Sequence, residues 1–401
     1  MPDPLPPGST LGMLGGGQLG RMFTDAAHVL GYRVHVYCPE PGCPAAQVAD
    51  HHTARPYDDL NAVADFARQV DVVTYEFENV PADTAAACAK HAPVRPGQRV
   101  LATAQNRLRE KNTLREHGIP VGPFAAVTRE DDLHQAIQLH GLPGVLKTAA
   151  GGYDGKGQRI LRRPADATYA WEDLGRRPCI YEAFIDFEQE VSVVAARGLD
   201  GQTQTFGPIA NTHRNHILDV SVVPAGAPAD VEAQAVAITR QVMNALDVVG
   251  VLCVEFFQLR DAADARGALD TDSRMLVNEL APRPHNSGHL TLEAYNVSQF
   301  TQQVLAVTGH PLTPVQPPRP AAMVNLLGDL WPDPTADPPE PRWSILEQRE
   351  HLHLHLYGKA TARPGRKMGH LTALARTPHE AIRDAVEARV QLTPQANLTP
   401  D

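Results

Sequence analysis

Short apolar runs alternate with amphipathic stretches through the N-terminal quarter of the chain. The runs TLGMLG, RVHVY and DVVTYEF predict buried strands, and the stretches QLGRMFTDAAHVLG and DLNAVADFARQV between them predict helices. A βαβαβ order implies a parallel sheet covered by helices. The pattern therefore predicts an N-terminal α/β domain, which we place at residues 1–105.

The pattern changes beyond this domain. The helix candidates NRLREKNTLREHG and DDLHQAIQLHG and the strand candidates GVLKT and QRILRR form a region that we place at residues 106–178. Residues 179–315 hold the strand candidates CIYEAFI, QEVSVVAARG, GVLCVEFFQL and MLVNELA, with one clear helix, VEAQAVAITRQVMNALDV, which favours an α+β region. Two proline-rich stretches then set off a C-terminal region, residues 316–401.

Composition and charge narrow the class of protein. Of the 401 residues, 43% are hydrophobic and 20% charged, as is typical of a soluble globular protein. The net charge of −10, with no basic half, argues against nucleic acid as a partner. No apolar run approaches the roughly 18 residues of a membrane span, and the first residues lack the features of a signal peptide. The five cysteines form neither a CxxC pair nor a dense framework, so we expect reduced thiols in a cytoplasmic protein.

A first glycine-rich segment, LGGGQLG, lies between a predicted strand and a predicted helix. Gly15, Gly17 and Gly20 fit the pattern G-x-G-x-x-G, and Glu40 follows Gly20 by about twenty residues. Three interpretations fit: a dinucleotide site, a tight turn between strand and helix, and a site for a substrate phosphate at the helix N-terminus.

A second glycine-rich segment, GGYDGKGQ, follows the strand candidate that carries Lys147. Asp154 and Lys156 lie among its glycines, and the Walker sequence GK[ST] is absent. A glycine-rich loop between two antiparallel strands can cover a triphosphate with backbone N–H groups. A flexible hairpin is the alternative, and the two lysines favour the phosphate loop.

A pair of glutamates suggests a metal site. Glu255 lies in the strand candidate VLCVEFFQL and Glu279 in MLVNELA, separated by a polar segment. If these strands pair as a hairpin, both carboxylates converge, and hard oxygen ligands of this kind suit Mg²⁺ bound to nucleotide phosphates. The alternative is a glutamate paired with an arginine such as Arg283.

Histidines and a basic segment near the C-terminus are weaker signals. In HLHLHLY, the side chains of His351, His353 and His355 share one strand face, which fits a half-exposed strand better than a metal site. His285 and His289 have a zinc-like spacing without a third ligand, so we favour contacts to substrate or to a carboxylate. The segment RPGRKMGH favours a clamp for a sugar phosphate over a solvated basic loop.

Five motifs together resemble a known family. GGGQLGRM, TYEFENV, GGYDGKGQ, NELAPRPHNSGH and RPGRKMGH occur in the order found in ATP-grasp enzymes, more narrowly in the N5-carboxyaminoimidazole ribonucleotide synthase family, and the resemblance runs from about Thr10 to about Leu374. It implies an ATP-grasp fold of α/β and α+β type, with an N-terminal parallel-sheet domain, a central ATP-clamping domain and a small C-terminal domain. The resemblance also implies a homodimer that uses ATP and Mg²⁺.

The activity that the resemblance implies is that of an ATP-dependent carbon–nitrogen ligase of de novo purine biosynthesis. Such an enzyme carboxylates 5-aminoimidazole ribonucleotide with bicarbonate and releases ADP and phosphate. Another ATP-grasp ligase, such as the formate-dependent glycinamide ribonucleotide formyltransferase, is the neighbouring alternative. A nicotinamide dehydrogenase built on LGGGQLG and a non-catalytic nucleotide-binding regulator are the alternatives from other classes.

The resemblance also assigns residues to roles, position by position. Those that would bind ATP are Arg107, Lys147, Gly152, Tyr153, Asp154, Gly155, Lys156, Gly157, Gln158, Glu182, Ala183, Phe184, Ile185, Glu190, His213, Asn278 and Glu279. Glu255 and Glu279 would hold Mg²⁺. The residues counted as catalytic are Lys147, Lys156, Tyr153 and Asp154, of which the last two would also hold the ribotide. The other expected ribotide contacts are Gln18, Glu76, Asn79, Lys359, Arg363 and Arg366, to which we add His285 and His289.

The chain departs from the family pattern at two places. Family members often carry a basic residue just before the glycine loop, where this chain has Ala149 and Ala150. The segment 260–273, between the two strands that carry the glutamates, is also long.

Overall fold

Three β-sheets organise the chain in the computed structural model, which describes residues 3–151, 157–261, 273–331 and 340–392. The first sheet is parallel, and the other two are built from antiparallel pairs. Within these ranges no helix has the length and apolar character needed to cross a bilayer.

The first sheet lies in the N-terminal region, with the strand order β3-β2-β1-β4. Its strands are β1 (Thr10–Leu14), β2 (Arg33–Tyr37), β3 (His51–Thr53) and β4 (Val72–Tyr75). The helices of this region are α1 (Gln18–Val29), α2 (Leu60–Ala67), α3 (Ala82–Ala89) and α4 (Gln98–Ala104). The parallel sheet predicted from the alternating pattern is confirmed.

The second sheet has the order β5-β8-β6-β7 and follows helix α5 (Arg107–Glu116). Its strands are β5 (Phe124–Val127), β6 (Gly144–Thr148), β7 (Gln158–Leu161) and β8 (Cys179–Ala183), and its helices are α6 (Glu130–His140) and α7 (Asp166–Asp173). Strands β6 and β7 pair antiparallel, so GGYDGKGQ joins two antiparallel strands as the sequence predicted.

The third sheet has eight strands in the order β13-β12-β9-β10-β11-β14-β16-β15. Its first strands are β9 (Gln189–Arg197), β10 (Thr203–Arg214), β11 (Ile217–Val223), β12 (Gly250–Gln258) and β13 (Met275–Ala281). The remaining strands are β14 (Ala321–Leu327), β15 (Leu352–Leu356) and β16 (Lys367–Leu374). Its helices are α8 (Ala229–Ala245), α9 (Thr291–Ala294), α10 (Gln299–Thr308) and α11 (Pro378–Leu392). Strands on both sides of residue 315 therefore share one sheet.

Helix α10 connects the N-terminal region to this large sheet. Its N-cap residue is Ser298, whose side chain accepts a hydrogen bond from the Thr301 N–H. Its C-cap residue is Gly309, with φ of 82°. Its residues Phe300 and Val304 are fully buried in one hydrophobic cluster with residues of α1, β1 and β2. This packing places the carboxyl ends of the parallel strands beside the large sheet.

Candidate active site

The hairpin of β12 and β13 carries the two glutamates that the sequence singled out. Glu255 and Glu279 are direct cross-strand partners, so the predicted convergence of the two carboxylates is confirmed. The register shifts by one residue immediately beyond this pair, because Phe256 lies opposite Val277 and leaves Asn278 as a bulge. The Asn278 Oδ1 atom is buried and has no hydrogen-bond partner in the structure.

Each glutamate has a cationic neighbour. Glu255 Oε1 lies 2.9 Å from His285 Nε2, and Glu279 Oε2 lies 2.9 Å from Arg107 Nη1. Burial alone would raise the pKa of Glu255, but His285 lowers that pKa to about 2. Burial would likewise lower the pKa of His285, which the neighbouring Cys253 and Glu255 raise to about 10.

Arg283, the alternative partner considered for the glutamates, pairs elsewhere. Its Nε atom lies 2.5 Å from Glu78 Oε2, in the segment that follows β4. Burial would raise the pKa of Glu78, and the Arg283 guanidinium lowers it. Arg283 is therefore not the partner of Glu255 or Glu279, but a pairing of a glutamate with an arginine does occur, because Glu279 bonds Arg107. The carboxylate contact expected of His285 is made.

A row of buried charges lies beside the second sheet. The Glu182 carboxylate on β8 contacts the Lys147 ammonium of β6 and lies 3.4 Å from Lys111 Nζ of α5. Burial raises the pKa of Glu182, but the two lysines together lower it to about 2. Glu182 is therefore ionised and held between two ammonium groups.

A cavity opens beside Glu182, between the second and third sheets. Phe187 and Phe257 stack at its edge with ring centroids 4.8 Å apart and planes 9° from parallel. The hinge residues predicted to meet adenine belong to the lining, which consists of Lys111, Gly122, Val145, Lys147, Glu182, Ala183, Phe184, Ile185, Phe187, Phe257 and Val277. The predominantly apolar lining with a few convergent charges suits a planar heterocycle.

Glu190 and His213 form a pair on neighbouring strands of the third sheet. His213 Nδ1 lies 2.7 Å from Glu190 Oε2. Burial lowers the pKa of His213, but the hydrogen bond to Glu190 and the charges of Glu190 and Glu255 together raise it. Both predicted nucleotide contacts therefore lie together on β9 and β10.

The glycine loop is described only at its ends. Gly157, with φ of 75°, accepts a 2.8 Å hydrogen bond from the Thr148 N–H, and Gln158 opens β7. The predicted site residues Gly152, Tyr153, Asp154, Gly155 and Lys156 lie outside the described residues. Before the loop, the Ala149 carbonyl accepts a 2.8 Å hydrogen bond from the Arg107 N–H.

The segment LGGGQLG holds a carboxylate of the chain itself. Glu76, at the end of β4, accepts a hydrogen bond from the Gly17 N–H and a second, 2.8 Å long, from the Gly20 N–H. A Cβ atom on Gly17 would collide with the same carboxylate. Burial raises the pKa of Glu76 despite these donors. The N-terminus of α1 thus binds Glu76, which favours the turn among the three interpretations of this segment.

The basic loop near the C-terminus approaches Glu76 and the N-terminal region. Gln47 Nε2 donates a 2.8 Å hydrogen bond to the Gly358 carbonyl, and Lys359 lies close enough to Glu76 to lower its pKa against the effect of burial. Arg363 is exposed, and Arg366 donates a 2.8 Å hydrogen bond to the Thr361 carbonyl. Of the ribotide contacts expected from the N-terminal region, Gln18 opens α1 beside Glu76, and Asn79 is exposed beyond β4.

The histidine predictions have different outcomes. His289 is fully buried, against Phe300 and His370, which leaves it no surface for a ligand, so we withdraw it from the substrate contacts. β15, which carries His353 and His355, is an edge strand of the sheet, and His355 bonds Glu293 at 2.6 Å. The burial of His289 could not be predicted, because the spacing of two histidines in the sequence does not determine their neighbours in the folded chain.

Three further residues of the site were missed from the sequence. Lys111 is a buried lysine that lines the cavity beside Glu182, called the base cavity below, and Glu110, the residue before it, is a buried carboxylate. Glu78 is a partly buried carboxylate bonded to Arg283. One signal was available, because Lys111 follows Arg107 by one helical turn and so shares its helix face.

The donors around Asn278 fit a magnesium ion. The described ranges contain no cluster of three or more histidine, cysteine or acidic side chains arranged as a metal site. Mg²⁺ bound to a nucleotide needs only one or two protein carboxylates, with phosphates and water completing its shell. The facing glutamates and the unpaired amide oxygen of Asn278 supply such a set.

Models of known protein families match three consecutive parts of the chain. Residues 9–105 match the ribonucleotide synthetase preATP-grasp domain, residues 112–300 the ATP-grasp domain, and residues 321–384 the phosphoribosylaminoimidazole carboxylase C-terminal domain. The predicted fold class is therefore confirmed.

Curated relatives resemble nearly the whole chain. The N5-carboxyaminoimidazole ribonucleotide synthase of Bacillus subtilis is 39% identical over 378 residues, which cover 94% of this chain and 94% of that protein. The synthase of Brucella melitensis is 42% identical, over 92% of this chain and 97% of that protein. A longer relative, the bifunctional purine synthesis protein purC/E of Dictyostelium discoideum, is 41% identical over 92% of this chain, which spans 37% of that protein.

Solved structures agree with these relatives. The ADP complex of an N5-carboxyaminoimidazole ribonucleotide synthetase has a TM-score of 0.87 and 38% identity, covering 98% of each chain. The Aspergillus clavatus N5-carboxyaminoimidazole synthase, in complex with ADP and 5-aminoimidazole ribonucleotide, has a TM-score of 0.85 and 28% identity, covering 96% of this chain and 99% of that one.

Proposed function

The chain belongs to the N5-carboxyaminoimidazole ribonucleotide synthase family, and on that premise we propose which of its residues perform each part of the reaction. The protein is an ATP-dependent carbon–nitrogen ligase that carboxylates 5-aminoimidazole ribonucleotide in purine biosynthesis. The match of residues 321–384 to a carboxylase C-terminal domain favours this activity over that of a related formyltransferase.

The nucleotide occupies the cavity between the second and third sheets. Its adenine lies against the hinge residues 182–185 and beside the stacked rings of Phe187 and Phe257, and Glu190 bonds its ribose. Lys147 has three N–H donors, so it can keep its contact with Glu182 and still donate to a phosphate oxygen. Arg107, which is bound to Glu279, lies where it can neutralise phosphate charge.

Magnesium would be held by Glu255, Glu279 and the Oδ1 atom of Asn278. When bound, the ion supplies positive charge to the phosphate oxygens, which stabilises the charge that develops on them during phosphoryl transfer. Each carboxylate has two oxygens and contacts its cation through one of them, Glu279 through Oε2 and Glu255 through Oε1, so both glutamates can hold the ion and keep Arg107 and His285 as neighbours.

Bicarbonate is the proposed carbon source. An oxygen of bicarbonate attacks the γ-phosphorus, the bond from that phosphorus to the β,γ-bridging oxygen breaks, and ADP leaves. The resulting carboxyphosphate, or the CO₂ that it releases, is attacked by the amine of the ribotide. A new C–N bond forms, phosphate departs and the amine loses a proton. Positioning and charge neutralisation by Lys147 and the loop amides account for the acceleration of the first step.

The ribotide occupies the opposite end of the site. Lys359, Arg363 and Arg366 supply positive charge for its phosphate, and Gln18 and Glu76 face it from the N-terminal region. The glycine loop, with Tyr153, Asp154 and Lys156, closes between the two substrates and keeps water from the carboxyphosphate.

The observation that carries the assignment of roles is the cross-strand pair Glu255–Glu279 beside the unpaired oxygen of Asn278. A coupled assay of ADP release tests it, with ribotide and bicarbonate omitted in turn. Full ADP release is expected only with ATP, Mg²⁺, ribotide and bicarbonate together. Release that requires glycinamide ribonucleotide and formate would contradict the proposal, as would protection from thermal unfolding by NAD and not by ATP.

Two further properties are proposed from family membership. We expect a homodimer, which light scattering coupled to size-exclusion chromatography would measure, and a cytoplasmic location, which cell fractionation would measure. A monomeric mass at micromolar concentration would contradict the first expectation.

A further inference from the structure

The bulge in β13 lies at the centre of the site and interrupts the strand ladder. Across from it, Glu255 pairs with Glu279 and Phe256 pairs with Val277, so Asn278 has no cross-strand partner. A bulge leaves backbone groups without their ladder bonds and re-aims the side chains next to it. Something other than the hairpin itself must therefore fix the direction of Asn278 and Glu279.

Two adjacent residues of α5 bond the backbone on either side of the bulge. Lys111 Nζ donates a 2.9 Å hydrogen bond to the carbonyl of Val277, the residue before Asn278. Glu110 Oε2 accepts a 3.1 Å hydrogen bond from the N–H of Leu280, the second residue after it. The helix thus hydrogen-bonds the backbone of β13 on both sides of the bulged residue.

A third bond from the same helix reaches the glutamate itself. Arg107, one helical turn before Lys111, donates from Nη1 to Glu279 Oε2 at 2.9 Å. The helix is fixed in turn at its N-terminus, where the Asn106 side chain accepts a 3.0 Å hydrogen bond from the Arg109 N–H. α5 is therefore a rigid element with three side chains directed at one short stretch of β13.

The burial of the two charged residues is not explained by stability. Glu110 is 2% exposed and Lys111 is 3% exposed, and such residues are almost never fully buried in proteins without a specific partner. Glu110 Oε1 is buried with no hydrogen-bond partner, which costs free energy. Since well-packed apolar residues are often at least as stable as buried charged groups, a role in the site accounts better for the burial of Glu110 and Lys111.

We propose that Glu110 and Lys111 are positioning residues that hold the β13 bulge, and through it Asn278 and Glu279, in the orientation that binds the nucleotide-bound metal ion. This inference rests on the proposed function, because it assumes that Asn278 and Glu279 face that ion.

Lys111 makes a second contact, with Glu182 of the hinge strand. Its Nζ atom lies 3.4 Å from Glu182 as well as 2.9 Å from the Val277 carbonyl. One ammonium group therefore connects the hinge strand at the base cavity with the strand that carries the metal ligands. Its removal should disturb both ends of the nucleotide, whereas a change at Glu110 should disturb only the metal end.

The test compares binding of ADP with and without Mg²⁺ by isothermal titration calorimetry. Glu110→Met removes the acceptor for the Leu280 N–H, and it is expected to weaken binding of Mg·ADP roughly tenfold or more, as outer-shell changes at metal sites do. Binding of ADP without Mg²⁺ should remain within about twofold of the wild type. Glu110→Gln keeps a carbonyl acceptor of the same shape and is the matched control, so Mg·ADP should bind it about as tightly as the wild type.

Lys111→Met is the second variant and carries the test if Glu110→Met does not fold. It should weaken ADP both with and without Mg²⁺, and Mg·ADP more strongly. Melting curves without ligand separate a general loss of stability from these selective effects. Equal loss of the two affinities in Glu110→Met, or no loss in either variant, would overturn the inference.

Failure of the proposed function would look different. If ADP does not bind the wild type, the nucleotide site is wrong, and if Mg²⁺ does not strengthen ADP binding to the wild type, the metal assignment is wrong. If Mg²⁺ strengthens ADP binding equally in the wild type, in Glu110→Met and in Lys111→Met, only the positioning role is wrong.

Discussion

At the scale of single residues, the chemistry of the site depends on carboxylates that are kept ionised in buried surroundings. Glu255 and Glu182 both have pKa values lowered to about 2 although burial opposes ionisation, because each lies against cationic side chains. The cations differ in kind and number, because one histidine contacts Oε1 of Glu255, whereas two lysines contact the two oxygens of Glu182. Glu182 is therefore bonded on both of its oxygens.

Replacing Glu279 should therefore abolish turnover without unfolding the protein. Glu279→Gln removes one anionic oxygen ligand and keeps the size of the side chain, so ADP release is expected to fall by about two orders of magnitude or more. Glu255→Gln should behave alike. Glu172→Gln, at an exposed i,i+4 pair on α7, is the control and should release ADP at the wild-type rate. Near-normal turnover in Glu279→Gln would remove this residue from the metal site.

Glu182 should make the folded state sensitive to acid. Its folded-state pKa of about 2 lies below its ordinary value of 4.5, so its contribution to the free energy of unfolding is complete above pH 4.5 and is lost as the pH falls to about 2. A shift of this size corresponds to about 3 kcal/mol. Wild-type protein should be more stable than Glu182→Gln at pH 7, and urea titrations should show that difference shrinking between pH 4.5 and 2. A difference that is the same at every pH would contradict the assignment.

At the scale of elements, sequence patterns predicted several strands with long apolar runs but not β14, whose run AAMVNLL is equally apolar. The β12–β13 hairpin was predictable because both strands have long apolar runs and a polar connection. β10 was missed because Gly207 and Pro208 interrupt its pattern, and the strand indeed has an irregular register between Phe206 and Ile209.

Helix α5 shows why part of the site could not be predicted. Its sequence, RLREKNTLRE, has no apolar stripe, so apart from the spacing of Lys111 from Arg107 the pattern does not indicate that Glu110 and Lys111 point inward. Their burial depends on carbonyl and N–H groups of β13, which is distant in sequence. Arg107, the partner of Glu279, could not be predicted for the same reason, although the facing of the two carboxylates followed from strand pairing alone.

The glycine loop between β6 and β7 gives a prediction at this scale. On the proposed function, Gly155→Val adds a β-branched side chain to a loop whose backbone approaches a phosphate, so ATP protection and turnover should fall together. The melting temperature without ligand should stay near that of the wild type. Melting curves with and without Mg·ATP measure both effects. Unchanged protection by ATP would make GGYDGKGQ a plain turn.

At the scale of the whole molecule, the site has two ends built by different parts of the chain. The basic loop that follows Gly358 contacts Gln47 of the N-terminal region, whereas the base cavity lies between the second and third sheets. The hairpin of β12 and β13 lies between the two ends. Each end should therefore respond to mutation separately.

Arg366→Ala tests this separation. Loss of one charge-assisted contact to the ribotide phosphate should cost roughly 1.5–3 kcal/mol, or about ten- to a hundredfold in ribotide affinity. ATP affinity should be nearly unchanged, because within the described residues the Arg366 side chain hydrogen-bonds the nearby Thr361 carbonyl and no residue of the base cavity. Titration calorimetry with each substrate measures the two affinities. Loss of ATP binding with intact ribotide binding would refute the clamp.

Because the eight-stranded sheet is continuous across residue 315, a chain that is shortened at this residue loses part of the sheet. A chain ending at residue 315 would lack β14, which pairs with β11 through Val220–Val324 and Val222–Ala322, and would leave β11 with a bare apolar edge. Bare edges recruit strands from other molecules, so the shortened protein should collect in the insoluble fraction of an expression culture while the full chain stays in the supernatant. Val220→Lys in the shortened chain places a charge on that edge and should return part of it to the supernatant. Equal solubility of the shortened and full chains would mean that the first 315 residues cover the edge of β11 without β14. The protein could then be produced as two separate pieces, for crystallisation or for complementation.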